Sequence, residues 1–391
     1  MEGLKLYSKL SDEVDGPCAQ PASGQSSILF LVSHSSAGGA QEIWANIAEG
    51  FRVRGHPVTL MALYPYREVV RETSPQLPWA YVAKTRPKSP IAQIRMFCSL
   101  VAILKRQRPA VVFTALPAAN VLAAVAARLA GPHVKVVTSH HSPVQTYNAL
   151  LNIADSLTGC LSSVQTIVSV SDTVKASQDA KPGPYRDKRR TIHNALPPPV
   201  EAQLASLAQG RDRSQAQGRK VVATGRLAWQ KNYPVLIRAA QHMPDVRIEI
   251  VGDGPDEAAL KALAAELGVQ DRVDFVGFQP RQDTLSRLAQ GDIFIQPSLF
   301  EGHSLALVEA AKLGLPLVVS EVPVQIEGIT DSDGQRCGIA IEPQDDVGFA
   351  RALTHLLDDP QAYRDHAERS ARLGRGATFE VMIKAYEDLA P

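Results

Sequence analysis

Two glutamates eight positions apart, Glu301 and Glu309, stand where an apolar run ends and a helical pattern begins. The stretch reads Pro297-Ser298-Leu299-Phe300-Glu301-Gly302-His303-Ser304-Leu305-Ala306-Leu307-Val308-Glu309-Ala310. Ser304 suits an N-cap, and the helix it opens offers unpaired backbone N–H groups to an anion. Glu301 falls in the loop and Glu309 on the second turn. Both carboxylates can then face one crevice at the carboxyl end of a parallel sheet, where open α/β folds bind ligands. Carboxylates placed there accept hydrogen bonds from hydroxyl groups, which is what sugars present.

A second set of residues complements that chemistry. Gly225-Arg226-Leu227-Ala228-Trp229-Gln230-Lys231-Asn232 follows an apolar strand and precedes a helix. An arginine and a lysine five positions apart on such a loop make a cationic clamp for a diphosphate. A third set, Ser35-Ser36-Ala37-Gly38-Gly39-Ala40, follows the first strand, and its paired glycines let backbone approach a phosphate or sugar. Gly252 and Gly254, in Val251-Gly252-Asp253-Gly254-Pro255, suit a tight turn beside a base or phosphate. Taken singly, each has a plainer reading: Arg226 and Lys231 as surface charges, the glycines as turn formers.

The elements that must position these residues show as apolar strands alternating with longer helical patterns, the signature of parallel α/β packing. Residues 28–32, 58–63, 111–114, 134–138 and 166–170 read as buried strands, with helices over 40–54, 91–106 and 118–130. The second half repeats the theme, with strands at 220–224, 247–251, 273–276, 293–296 and 317–320. Helices over 234–242, 256–267, 281–288 and 304–313 lie between them. The strands are apolar throughout because helices cover both sheet faces. Pro197-Pro198-Pro199 and the polar run after it suit a linker, with a hinge near 196–200. A last helix over 378–389 carries Phe379, Met382, Ile383, Tyr386 and Leu389 at helical spacing. The domains expected are a mobile extension over 1–25, an N-terminal domain over 26–196, a linker over 197–219 and a C-terminal domain over 220–377.

Bulk properties bound the function. With 391 residues, 45% hydrophobic and 21% charged, the chain can fill two domain cores. A net charge of +1 gives no global case for nucleic-acid binding. The four cysteines show no ligand spacing, so no structural zinc is expected and reduced thiols fit a cytosolic setting. Asp12, Glu13 and Asp15 interrupt what a secretory signal would need, and no apolar run reaches bilayer-spanning length. The expected location is the cytoplasm or the inner face of the membrane. Residues 67–108 hold nine Lys or Arg against Glu68 and Glu72, which is either a solvated face or a contact with anionic lipid.

The three loops together resemble the family-4 retaining glycosyltransferases of the GT-B fold, over nearly the whole of residues 27–389. Val276-Gly277-Phe278 and Thr191-Ile192-His193-Asn194 match the family pattern in the same order. The resemblance implies two Rossmann-like domains whose parallel sheets face each other across a cleft, the first for the acceptor and the second for the donor. It also implies that the last helix, 378–390, returns to the first domain. Arg226 and Lys231 would hold the diphosphate, Glu301 the transferred sugar and Glu309 the ribose. Gly38, Gly39, Gly225, Gly252, Gly254, Gly302, His303, Ser304 and Leu305 would complete the donor site. Where many members carry an aromatic residue and a glycine, this chain has His303 and Ser304. The family's mid-domain histidine is met by His140 or His141, and His140 is preferred as the first after its strand.

The implied activity is transfer of a hexosyl residue from a UDP- or GDP-sugar to an acceptor hydroxyl with retention, through front-face attack assisted by the leaving phosphate. The acceptor would be a glycolipid or oligosaccharide in bacterial polysaccharide or lipopolysaccharide biosynthesis. No DxD-type metal motif occurs in a suitable loop, so the cationic clamp is expected to serve without metal or cofactor. The alternatives are a non-catalytic nucleotide-sugar scaffold, a GT-B epimerase or a phosphorylase. A dehydrogenase is disfavoured, since no GxGxxG follows a strand with an acidic residue about 20 positions on.

Overall fold

The apolar segments fold as two parallel sheets, each in its own compact unit. The computed structural model describes residues 27–36, 39–66, 77–212 and 214–390. The expectations for residues 1–25, Gly38, Arg67 and Arg71 fall outside these. The first unit runs to Val170 and takes Val174–Ile192 and the residues from Met382 on, while the second takes Ser171–Thr173 and His193–Val381.

The first sheet is ordered β3-β2-β1-β4-β5-β6-β7. Its strands are β1 (Ile28–His34), β2 (Val58–Tyr64), β3 (Ala80–Tyr81), β4 (Val111–Ala115), β5 (Lys135–His140), β6 (Val164–Ser169) and β7 (Arg189–Thr191). Central β1 pairs in parallel with β2 and β4, so that Phe30 lies level with Leu60 and Phe113. The rings of Phe30 and Phe113 stack at 5.1 Å, and Trp44 from the helix Gly39–Val53 meets Phe30 edge-on at 5.9 Å. Tyr386, on the last helix (Phe379–Glu387), packs on Trp44 and Phe113 at 5.9 and 5.8 Å. Glu387 holds that end with Arg54 at 2.5 Å.

The second sheet is ordered β10-β9-β8-β11-β12-β13. It comprises β8 (Lys220–Thr224), β9 (Arg247–Val251), β10 (Val273–Gly277), β11 (Ile293–Gln296), β12 (Leu317–Ser320) and β13 (Ile339–Ile341). Val221, Ile248, Ile293 and Val318 form one core with Leu236, Phe349 and Leu353. Helices Asp346–Asp358 and Pro360–Gly376 follow the last strand, each begun by an aspartate, Asp345 or Asp359, whose side chain accepts a first-turn N–H.

Two expectations are corrected. The proline run is a helix start, Pro198–Gln209, with extended Pro197 as its cap. Proline at the first helical position costs no hydrogen bond, because that N–H has no partner in a helix. Leu204 of this helix is fully buried with Leu196, Val222 and Leu313, so the stretch 197–209 contributes to the core of the second unit. Leu196, placed in the hinge, belongs to the same core. The other correction is that β5 continues through His140, which pairs in register with Ser169. Polar Thr138, Ser139 and His140 obscure the strand's end, yet all three are buried.

Candidate functional site

In the second sheet the chain leaves β8 toward β9 and leaves β11 toward β12, in opposite directions. Such a switch point opens a crevice beyond the carboxyl ends of the two strands. The loop after β8 carries Arg226 and Lys231, and the loop after β11 carries Glu301. Lys231 closes a 3₁₀ turn, Trp229–Lys231, and its Nζ donates to Glu301 Oε1 at 2.7 Å. The loops are tied again by Leu299 N–H on the Gln230 carbonyl at 2.8 Å and by the rings of Trp229 and Phe300 at 5.3 Å. Arg226 is exposed and, among the described residues, has no side-chain hydrogen bond or ion pair. The two cations are therefore unequal: one is matched by a carboxylate and the other stands open.

Three glycines let the loops after β8 and β9 lie backbone to backbone. A Cβ on Gly252 would stand 2.1 Å from the Gly225 carbonyl oxygen, and one on Gly254 would stand 2.2 Å from that of Leu227. Gly225 and Gly252 also have φ of +141° and +143°, which side chains rarely adopt. Gly225 N–H bonds the Val251 carbonyl at 2.9 Å and Leu227 N–H that of Asp253 at 2.8 Å. Gly252→Ala is expected to lower the melting temperature sharply and to abolish any donor-induced shift. Gly39→Ala, with nothing within 4 Å of the added carbon, should melt with wild type. Equal melting of the two variants in a thermal denaturation series would refute this account of the loops.

Ser304 caps the helix Leu305–Leu313: its Oγ accepts Leu307 N–H at 3.3 Å and donates to Gln296 Oε1 at 2.7 Å. Gly302 and Leu305 flank it at intermediate exposure. Glu309 is buried on the same helix and bonded to Arg281, first residue of the helix Arg281–Ala289. Sequence reasoning missed Arg281 as a site residue, because nothing local marks a pairing across 28 positions.

His303 packs its ring on His193 at 5.2 Å. Its Nδ1 is buried without a hydrogen-bond partner among the described residues. Burial, followed by the neighbouring His193, pushes His303 down to about 4. His193 in turn bonds Glu327 at 2.9 Å. Burial alone would raise the Glu327 carboxyl, but hydrogen bonds from His193, Thr173 and Asp172 outweigh it and hold it at about 2. Asp172, His193 and Glu327 lie close enough to hold a metal ion, yet Glu327 already receives two backbone N–H groups, the Thr173 hydroxyl and His193.

In the first unit His140 is sealed. Tyr185 Oη donates to Asp155 at 2.9 Å, so it can only accept from His140 Nε2, at 3.1 Å. His140 Nδ1 then faces Tyr147 Oη at 3.0 Å, whose proton the Ser142 carbonyl also accepts, at 3.2 Å. Burial lowers the His140 pKa, Asp155 opposes that and Lys181 adds to it, so the ring stays neutral. With no exposed surface and both nitrogens engaged, His140 is not presented to a ligand. Of the two candidate histidines, the preferred one is thus the more deeply buried. The histidine that actually follows the strand is His141, which is partly exposed, bonds Ser139 Oγ at 3.1 Å and meets Trp44 at 5.6 Å. Burial and His140 push His141 down to about 3.

Those low values have a signed consequence. Unfolded histidine binds its proton near pH 6.5, whereas folded His141 and His303 stay neutral until about pH 3 and 4. Stability is thus expected to be flat above pH 7 and to fall as pH drops from about 6.5 toward 4. His303→Gln should flatten part of that slope in melts taken across the range. An unchanged slope would contradict the burial of a neutral ring.

Comparison with known proteins follows the same division of the chain. Residues 37–198 match the family described as Glycosyltransferase Family 4, and residues 210–374 match Glycosyl transferases group 1. The lipopolysaccharide core biosynthesis glycosyltransferase LpsD of Rhizobium meliloti (strain 1021) is 33% identical over 172 residues, covering 43% of this chain and 48% of that protein. Alpha-D-kanosaminyltransferase of Streptomyces kanamyceticus is 31% identical over 179 residues, covering 44% and 45%. The chain spans about half the length of the curated relatives it matches. Among solved structures, Anabaena Alr3699/HepE in complex with UDP-glucose aligns with a TM-score of 0.75 at 19% identity, over 93% of this chain and 99% of that one. The apo form of the lipopolysaccharide outer core galactosyltransferase WaaB aligns at 0.68 and 16% identity, over 93% and 98%. The two family matches take in most of the sequence, and the chain belongs to the group 1, family 4 glycosyltransferases of the GT-B fold.

Proposed function

We propose that the protein is a retaining, metal-independent hexosyltransferase that moves a sugar from a nucleoside-diphosphate donor to an acceptor hydroxyl. The observation that carries this reading is the Lys231–Glu301 pair at the switch point, with Arg226 open beside it in the sequence. A diphosphate can replace Glu301 as the partner of Lys231, which frees that carboxylate for the hydroxyls of the transferred sugar. Arg226 adds a second cation to the leaving diphosphate. The N–H groups at the start of the Ser304 helix supply further donors where negative charge develops. Glu309, oriented by Arg281, is suited to a ribose.

Two similarities favour the finer choices. A protein of the same fold was captured with UDP-glucose, and relatives are named for lipopolysaccharide core biosynthesis, so a UDP-sugar and a lipid-linked or polysaccharide acceptor are the first to try. The test is thermal shift with UDP-, GDP- and ADP-sugars on wild type, Arg226→Ala and Glu309→Ala. One donor should stabilise wild type and fail on both variants, and turnover with that donor should persist in EDTA. A donor that binds without turnover with any acceptor would favour a scaffold. Product formed from donor alone would favour an epimerase, and a shift with none of them would end the donor-site reading.

A further inference from the structure

Between Glu72 and Asp155 the sequence contains no aspartate or glutamate, yet it contains nine lysines and arginines. Asp155 does not relieve the imbalance at the surface, because it is buried and paired with Lys181 at 3.0 Å. The segment builds three neighbouring helices on one face of the first sheet: Pro90–Gln107, Pro117–Ala130 and Ala149–Gly159, with the middle one packed against both others.

The outer surface of these helices exposes large apolar side chains, and its exposed charged residues are all cations. Leu150, Ile153 and Leu157 are 77%, 59% and 66% exposed and share one helix face by their spacing. Ile91 and Ile94 are exposed on the first helix, and the middle helix carries no charge before Arg128. Helices on a parallel sheet run opposite to its strands, so Ile91, Ile94, Leu150 and Ile153 lie toward the edge where β5 delivers His141. Lys84, Arg86, Lys88 and Arg95 are exposed at or before the start of the first helix.

A surface that exposes apolar side chains among cations alone is unsuited to water and to another cationic surface. It suits the boundary of an anionic bilayer: leucine and isoleucine enter the acyl region, while lysine and arginine reach the phosphates with their stems along apolar surface. The geometry points to this face as a membrane-docking surface for anionic phospholipid. A second copy of the chain would bring cation against cation across the same patch.

The experiment is co-sedimentation of the full chain with vesicles of mixed phosphatidylglycerol and phosphatidylcholine, and with phosphatidylcholine alone. Wild type is expected to pellet with the anionic vesicles and to be released as salt rises. Arg95→Gln with Arg106→Gln should lower the partition coefficient roughly fivefold per residue. Leu150→Glu with Ile153→Glu should lower it by about tenfold or more, including at high salt where the cations are screened. Both pairs are exposed, so their melting curves and donor-induced shifts should match wild type. Wild type that stays in the supernatant at low salt, or variants that pellet equally, would overturn the inference. So would a lipid-free dimer in light scattering that Leu150→Glu with Ile153→Glu abolishes. Failure of the donor panel would leave this lipid readout intact, and the two readings can fall separately.

Discussion

Replacing Lys231 by alanine is expected to slow turnover by about two to three orders of magnitude, with a smaller change in KM. The ammonium is where the leaving diphosphate gathers charge, and such an interaction strengthens in the transition state. It is also nearly closed to water: the Lys231 and Glu301 side chains retain 11% and 13% exposure, so solvent screens the pair little. Alanine therefore strands the Glu301 carboxylate, and the variant should melt below wild type as well. Lys231→Met combined with Glu301→Gln separates the effects, because it removes both charges and should recover stability without recovering turnover. Lys231→Arg is no conservative control at a site fitted to a compact point charge. Initial rates with the donor found by the panel decide the matter, and a Lys231→Ala enzyme within a few-fold of wild type would remove the diphosphate role.

The largest expected loss of stability lies in the first unit, at Asp155. Its carboxylate accepts from Tyr185 Oη at 2.9 Å and from Lys181 Nζ at 3.0 Å. Lys181 also donates to the Asn152 carbonyl and Ser156 Oγ at 3.0 and 2.9 Å. Asp155 and Lys181 are both buried, so Asp155→Ala leaves an ammonium without its counterion. Breaking a buried pair from one side costs about 3–5 kcal/mol. In a domain of this size that corresponds to a fall of roughly 10 °C in melting temperature. Tyr185→Phe deprives His140 of its acceptor and should cost less, about 1–3 kcal/mol. Calorimetry on the two variants tests the ranking, and wild-type melting of Asp155→Ala would show that the network contributes nothing.

The central strands were legible because they are apolar from end to end, as in Ile28-Leu29-Phe30-Leu31-Val32. Edge strands β3, β7 and β13, of two or three residues, are too short to give any periodic signal. The helix Pro198–Gln209 was hidden by the habit of reading prolines as stops, although the first turn of a helix accepts them. At the site, residue types were legible and pairings were not. Glu301 and Lys231 lie 70 positions apart, and only the adjacency of β8 and β11 brings them together. The burial of His140 was hidden for a related reason. Tyr147, Asp155 and Tyr185, which allow a histidine to be buried inside the strand, arrive from later segments.

The last helix begins among the residues of the second unit and ends among those of the first. Any attempt to recombine this chain with a relative must respect that ownership. A chimera with a single crossover between Ile192 and His193 would pair one parent's Trp44 and Phe113 with the other parent's residue at position 386. Exchange of donor specificity therefore requires two crossovers, the second near Met382, so that the first unit keeps its own final turns. The same rule applies to excision, since a first unit cut at residue 192 would expose the ring faces that Tyr386 covers.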